Sequence, residues 1–178
     1  NLKDARFTYE GHSLPVSRIQ LDANMPDGEI RVAINNIALQ HETLEYLSIK
    51  QLDASLASLP REGKPVNISL LNLEEPRVTL VRDAKTNGFV GWDDLVGAVG
   101  NGDSGKSSMA GGVVLKELEV KKGEVHYQSA PKVDPFDIEG IDATVKAIPD
   151  QPDRMPVDGL FRIGTVPGRL SGNLDLSK

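Results

Sequence analysis

The sequence lacks several residue types on which common protein chemistries depend. It has 178 residues and no cysteine, so disulfide bonds and thiolate chemistry are excluded. Its only histidines, His12, His41 and His126, are not spaced like a metal site or a catalytic triad. We therefore expect no enzyme activity, bound metal or cofactor, although a carboxylate site assembled in space stays open. The net charge of −6 argues against a nucleic-acid partner.

Long apolar runs are missing as well. No stretch approaches the roughly 18 residues that a membrane-spanning helix needs, and aromatic residues make up only 4% of the chain. The chain begins with Asn1 instead of methionine. We expect it to be a processed or excised part of a longer protein, with any signal or membrane anchor outside it.

Short segments in which apolar and polar residues alternate fill most of the chain. This period of two is typical of strands, beginning with segments at 5–9 and 16–25. About ten such segments and almost no helical pattern predict a mostly β protein with an antiparallel sheet throughout. The alternation itself leaves two architectures open, a closed sandwich and a single curled sheet with an uncovered apolar face.

Interruptions of the alternation indicate bulges and turns. The apolar phase shifts at Asn35-Asn36, which predicts a bulge or a bend, and Gly140 separates two apolar pairs, which predicts a bulge. Lys121-Lys122-Gly123 predicts a hairpin, and Pro167-Gly168 predicts the turn between the last two strands.

The stretch from Leu73 to Val96 contains a strand, an Asn-Gly turn and the only tryptophan, Trp92. We interpret Trp92 as a core residue under the turn and predict one short helix at Asp93–Val99. The following segment contains the string G-x-x-x-x-G-K-S at Gly100–Ser107. Because the pattern predicts neither a strand before it nor a helix after it, we interpret it as a Gly/Ser-rich loop instead of an NTPase phosphate loop.

Two segments resemble the AsmA family of bacterial envelope proteins, which includes the TamB-related repeating β-groove proteins. The first contains Pro76, Val78, Leu80, Arg82, Asp83, Gly88, Trp92 and Leu95. The second combines Leu115–Tyr127 with Pro135–Asp142. The resemblance covers roughly Leu44 to Leu176, but the membrane anchor with which the family usually begins is absent from this sequence.

This resemblance implies both a fold and a function. The fold would be a single domain over 1–178, a taco-like curled sheet that forms an apolar groove. The function would be phospholipid transport and outer-membrane assembly or homeostasis, in the periplasm of a Gram-negative cell. The implied partners are phospholipid or another acyl lipid, the inner membrane through a segment outside this chain, and other envelope proteins. The alternative is a structural or adaptor β domain that binds an envelope protein without lipid.

Apolar residues that share one side of their strands are the candidates for the lipid-binding surface, because successive side chains of a strand point to opposite faces. These candidates are Ile19, Leu21, Val78, Leu80, Val125, Tyr127, Ile141, Val145, Leu170, Leu174 and Leu176.

Overall fold

A computed structural model describes residues 2–9, 12–24, 29–57, 66–83, 88–92, 113–129, 133–148 and 154–175, with only the backbone of the first two strands. In this part of the chain ten strands form one open sheet. The strands are β1 Leu2–Tyr9, β2 His12–Asn24, β3 Glu29–His41, β4 Leu44–Leu56, β5 Val66–Val81, β6 Val113–Leu115, β7 Glu117–Gln128, β8 Phe136–Lys146, β9 Arg154–Ile163 and β10 Val166–Asp175. The mostly β prediction is confirmed.

The strand order follows the sequence, with one exception at the centre. Strands β1 to β5 pair in succession, β7 lies next to β5, and β8, β9 and β10 continue to the far edge. The short strand β6 also pairs with β5. Both β5–β6 and β5–β7 are parallel, so the prediction of antiparallel pairing throughout is wrong. Residues 82–116 separate β5 from β7, and this is more than the dozen or so residues that a parallel connection requires.

The pairing register keeps apolar residues on one face of the sheet. Ile34 of β3 lies opposite Leu52 of β4, which lies opposite Leu73 of β5. Directly opposed residues share a face. The same alternation in β3 to β5 and β7 to β10, whose side chains the structure describes, therefore produces one apolar face and one charged face.

Four strands each contain one residue in the left-handed backbone conformation, and these residues lie at about the same level of the sheet. Asn36 in β3, Glu75 in β5, Lys122 in β7 and Gly140 in β8 all have φ between 49° and 57°. Each lies where the apolar phase slips by one residue, and neighbouring strands slip at the same level, so the apolar face stays continuous. The bulge predicted at Gly140 is confirmed by the register shifts between β8 and both of its neighbours. At Asn36 the backbone is left-handed, but β3 keeps its register with β2 and β4 there, so this residue bends the strand without a bulge.

Two predicted turns are wrong. Lys121-Lys122-Gly123 is a bulge inside β7, where the Lys122 amide donates a hydrogen bond of 2.9 Å to Asp142 Oδ1. Pro167-Gly168 lies inside β10, and the turn before it is Gly164-Thr165, with Gly164 at φ 57°. An edge strand tolerates Pro167 because one side of it needs no backbone donors.

The predicted helix at Asp93–Val99 and the Gly/Ser-rich segment at Gly100–Ser107 lie outside the described residues. Within the described ranges, no helix has the length and apolar character needed to cross a membrane.

Candidate functional site: the apolar face

The register brings most of the predicted lipid-binding residues together. Val78 and Leu80 of β5 pair with Val125 and Tyr127 of β7, and Val125 lies opposite Ile138 of β8. These five side chains form adjacent rows at the centre of the apolar face.

The other candidates extend the same face in both directions. Val145 lies opposite Val157 of β9, and Leu174 lies opposite Met155. The remaining described candidates take matching register positions: Ile141 opposite Gly123, Leu170 opposite Gly159, Ile19 opposite Ile34 and Leu21 opposite Val32. Leu176 lies outside the described residues.

This face is only partly covered. Among the described residues the buried apolar side chains are Ile30, Ile37, Tyr46, Ile49, Val145 and Met155, and most others on the face are half-buried. All the described strands belong to one sheet, so no second sheet packs on it. An apolar surface of this kind normally contacts something else.

One corner of the face is covered by the chain itself. Residues 88–92 fold back along the end of β5, with hydrogen bonds from the Val90 amide to the Val81 carbonyl and from Trp92 Nε1 to the Thr79 carbonyl. The Trp92 ring then meets the ring of Tyr46 edge to face, at 5.3 Å between centroids.

We call Tyr46, Phe89, Trp92 and Tyr127 the aromatic corner. Phe89 contacts Tyr127 edge to face at 6.3 Å, and Tyr46 is fully buried. Gly91 has φ 80°, and a Cβ atom there would lie 2.8 Å from Tyr46 Cδ1. Trp92 was predicted to be a core residue, but Tyr46 was not, because Tyr46 sits at a register shift and breaks the alternation of β4.

Several side chains of the last two strands, at one edge of the sheet, are much more exposed than this central part. We call β9 and β10 the end pair. Their exposed large apolar side chains, with relative exposures of 39–64%, are Leu160, Ile163, Val166, Leu170 and Leu174. Leu160 points to the charged side, next to Arg169, and the others lie on the apolar face.

The second face of the sheet carries a ladder of ion pairs between adjacent strands. Lys50 of β4 binds Glu75 of β5 at 2.7 Å, and Arg77 of β5 binds Glu124 of β7 at 2.7 Å. The bond from Lys50 holds the pKa of Glu75 below its ordinary value.

The ladder continues to the far edge. A hydrogen bond of 2.6 Å between His126 Nδ1 and Asp137 Oδ1 joins β7 to β8, and the ion pair of Arg169 with Asp158 joins β10 to β9 at 3.0 Å. The bond from Arg169 likewise lowers the pKa of Asp158. These pairs are exposed, so each contributes little to stability. Their charged side chains make this face of the sheet polar.

Surface depressions of about 470, 450 and 650 Å³ lie on the charged face, lined by residues such as Glu45, Arg77 and Lys122. The described residues contain no group of three or more acidic, histidine or cysteine side chains placed to hold a metal ion. The chemistry that this arrangement supports best is therefore contact with an apolar partner on the other face.

Comparisons of the chain with protein-family models, with curated proteins and with solved structures found no match.

Proposed function

We propose that this protein is a lipid-handling segment whose apolar face holds the acyl chains of phospholipids, in a periplasmic protein tethered to the inner membrane through a segment outside this chain. One observation carries the proposal. An apolar face runs continuously across the sheet and stays half-exposed, with no second layer over it in the described part of the chain. Three parts of the proposal come from the resemblance to AsmA proteins: the lipid as the ligand, the periplasmic location and the curled, groove-like shape.

The size and chemistry of this face suit acyl chains. Nine strands in succession at about 4.8 Å spacing span roughly 38 Å. Each methylene group moved from water to an apolar surface contributes about 0.8 kcal/mol, so an acyl chain gains substantially by lying on it. Most side chains of this face are aliphatic, and the ring contacts Tyr46–Trp92 and Phe89–Tyr127 lie together in one part of it. The charged face, on the other side of the sheet, remains in contact with water.

The proposal is tested with two neighbouring substitutions that add the same charge to opposite faces. Leu52 lies on the apolar face between Ile34 and Leu73, and Gln51 lies next to it on the charged face, exposed. Purified protein is incubated with vesicles that contain radiolabelled phosphatidylethanolamine and is then separated from them. We expect the wild type and Gln51→Glu to retain lipid and Leu52→Glu to lose most of it, because a carboxylate desolvates poorly against an acyl chain.

Circular dichroism and Trp92 fluorescence establish that each variant is folded. If Leu52→Glu does not fold, Leu174→Glu at the exposed end pair takes its place, with Asn173→Glu as its opposite-face control. Equal lipid retention by wild type and both apolar-face variants, or no retention by folded wild type, overturns the proposal.

The exposed apolar side chains of β10 favour a second candidate function, a structural or adaptor domain that binds another envelope protein by strand addition. In that case the folded wild type retains no phospholipid, while a stable complex with the partner protects the β10 amides from hydrogen exchange.

A further inference from the structure

The strand β10 lies at one edge of the described sheet. Within the described residues no strand pairs with its outer side, and Val166, Leu170 and Leu174 are 64%, 48% and 46% exposed. An edge with free backbone groups and apolar side chains is a template for another strand. Natural sheets commonly block such edges with charged residues, but the only charged side chain between Val166 and Leu174 is Arg169, which is held by Asp158.

The sequence of β10 is symmetric about Leu170. On the apolar face its residues alternate large and small, in the order Val166, Gly168, Leu170, Gly172 and Leu174. If two copies of this strand pair antiparallel about a two-fold axis at Leu170, Leu170 faces itself, Val166 faces Leu174 and Gly168 faces Gly172. Large residues then meet large residues and glycines meet glycines along the whole strand.

The surroundings of the two glycines differ in a way that suits this pairing. The Phe161 ring lies over Gly168, where a Cβ atom would clash with it, but nothing lies within 4 Å of a Cβ atom at Gly172. Across the proposed axis the ring above Gly168 is therefore adjacent to the empty space at Gly172 of the second copy.

The charged side of β10 also permits the pairing. Arg169 faces Ser171 of the second copy, so no like charges are opposed. Pro167 lacks a backbone N–H donor near the start of the strand, but every residue of the central segment 169–173 has one.

From this symmetry we infer that β10 is a self-association edge, which pairs antiparallel with β10 of a second copy of this chain about a two-fold axis at Leu170. The contact is isologous, so it closes as a dimer and does not propagate. It joins the apolar faces of the two sheets into one surface, and it does not depend on lipid.

The absence of cysteine from the chain permits a direct test by disulfide cross-linking. Opposed residues of an antiparallel pair have Cα atoms about 4.5–5.5 Å apart, within the range that a disulfide bridges. We expect Leu170→Cys to form a disulfide-linked dimer on mild oxidation. Val166→Cys alone does not, since its two copies lie roughly 27 Å apart along the strands. A mixture of Val166→Cys and Leu174→Cys cross-links between the two variants.

Charge exchange at the axis gives an independent readout by light scattering. Leu170→Lys and Leu170→Glu are each expected to be monomeric, and an equal mixture is expected to restore the dimer at the same concentration. The inference is overturned if Leu170→Cys cross-links no better than Val166→Cys, or if the wild type stays monomeric at high concentration. Growth of the wild type into filaments also overturns it, because filaments indicate head-to-tail contacts between different edges.

Discussion

The aromatic corner and the end pair both carry large apolar side chains, but these side chains differ in how far they are exposed to solvent. Tyr46 at the corner is fully buried, whereas Leu160 and Val166 in the end pair are 60% and 64% exposed. At the corner, residues 88–92 return over the sheet and are held there by backbone and indole hydrogen bonds. Within the described residues no such segment covers β10, although Met155 of β9 is buried. The described chain thus encloses one part of the apolar face and leaves the large apolar side chains of β10 exposed.

The strongest test of this contrast is removal of the Tyr46 side chain. Tyr46→Ala is expected to lower the free energy of unfolding by about 3–5 kcal/mol, because truncation of a fully buried aromatic ring loses burial and leaves a cavity. Urea denaturation followed by circular dichroism measures the change. A loss below about 1 kcal/mol contradicts the view that the corner is a stabilising core.

A smaller change at the corner comes from Gly91→Ala. The added Cβ atom lies 2.8 Å from Tyr46 Cδ1, and alanine disfavours φ 80°, so we expect a loss of about 1–3 kcal/mol. Because Trp92 is the only tryptophan, its emission should also shift to longer wavelength as its contact with Tyr46 loosens. Unchanged emission and stability argue against the close contact of residues 88–92 with β4.

The end pair should tolerate a comparable loss of apolar surface. Leu160→Gln is expected to change the free energy of unfolding by less than about 0.5 kcal/mol, because Leu160 is mostly exposed and lies on the charged side. The same urea titration measures it beside Tyr46→Ala. A large loss at Leu160 removes the distinction between the two regions.

The ion pairs of the charged face should have the smallest effect, and one that depends on pH. The pKa of Glu75 in the folded protein is lowered by its bond from Lys50, so its contribution to stability is present above its ordinary pKa and is lost as the pH falls. We expect Glu75→Gln to be slightly less stable than the wild type at pH 7, and the difference to disappear in acid once the pH has fallen below the lowered pKa of Glu75. Denaturation midpoints of both proteins across this range, with Lys50→Met as a matched control, measure the difference. A difference in stability that persists in acid argues against the ion pair as its cause.

The features that were predictable from the sequence are local ones. Alternation identifies strands and assigns Val78 and Leu80 to one face, since the side-chain period of a strand is fixed. The left-handed backbone at Asn36 and the bulge at Gly140 were predictable from the shifts in apolar phase, and asparagine and glycine commonly adopt positive φ. Glu75 and Lys122 adopt the same backbone with no such signal.

The features that were missed depend on residues far apart in the chain. The parallel pairing of β5 with β7 is decided by a connection of many residues, and periodicity carries no information about its direction. Tyr46 becomes the most buried side chain only because residues 88–92 arrive from another part of the sequence. Neither could be read from the pattern of its own strand.

The most direct test of lipid binding by the apolar face compares two adjacent positions of the central strand β5. Val78 lies on the apolar face beside Val125, and Arg77 lies on the charged face beside Glu124. A photoreactive amino acid is placed at either position, the protein is incubated with phospholipid vesicles and irradiated, and adducts are identified by mass spectrometry. The account predicts phospholipid adducts at position 78 and none at 77. Adducts at both positions, or at neither in folded protein, contradict it.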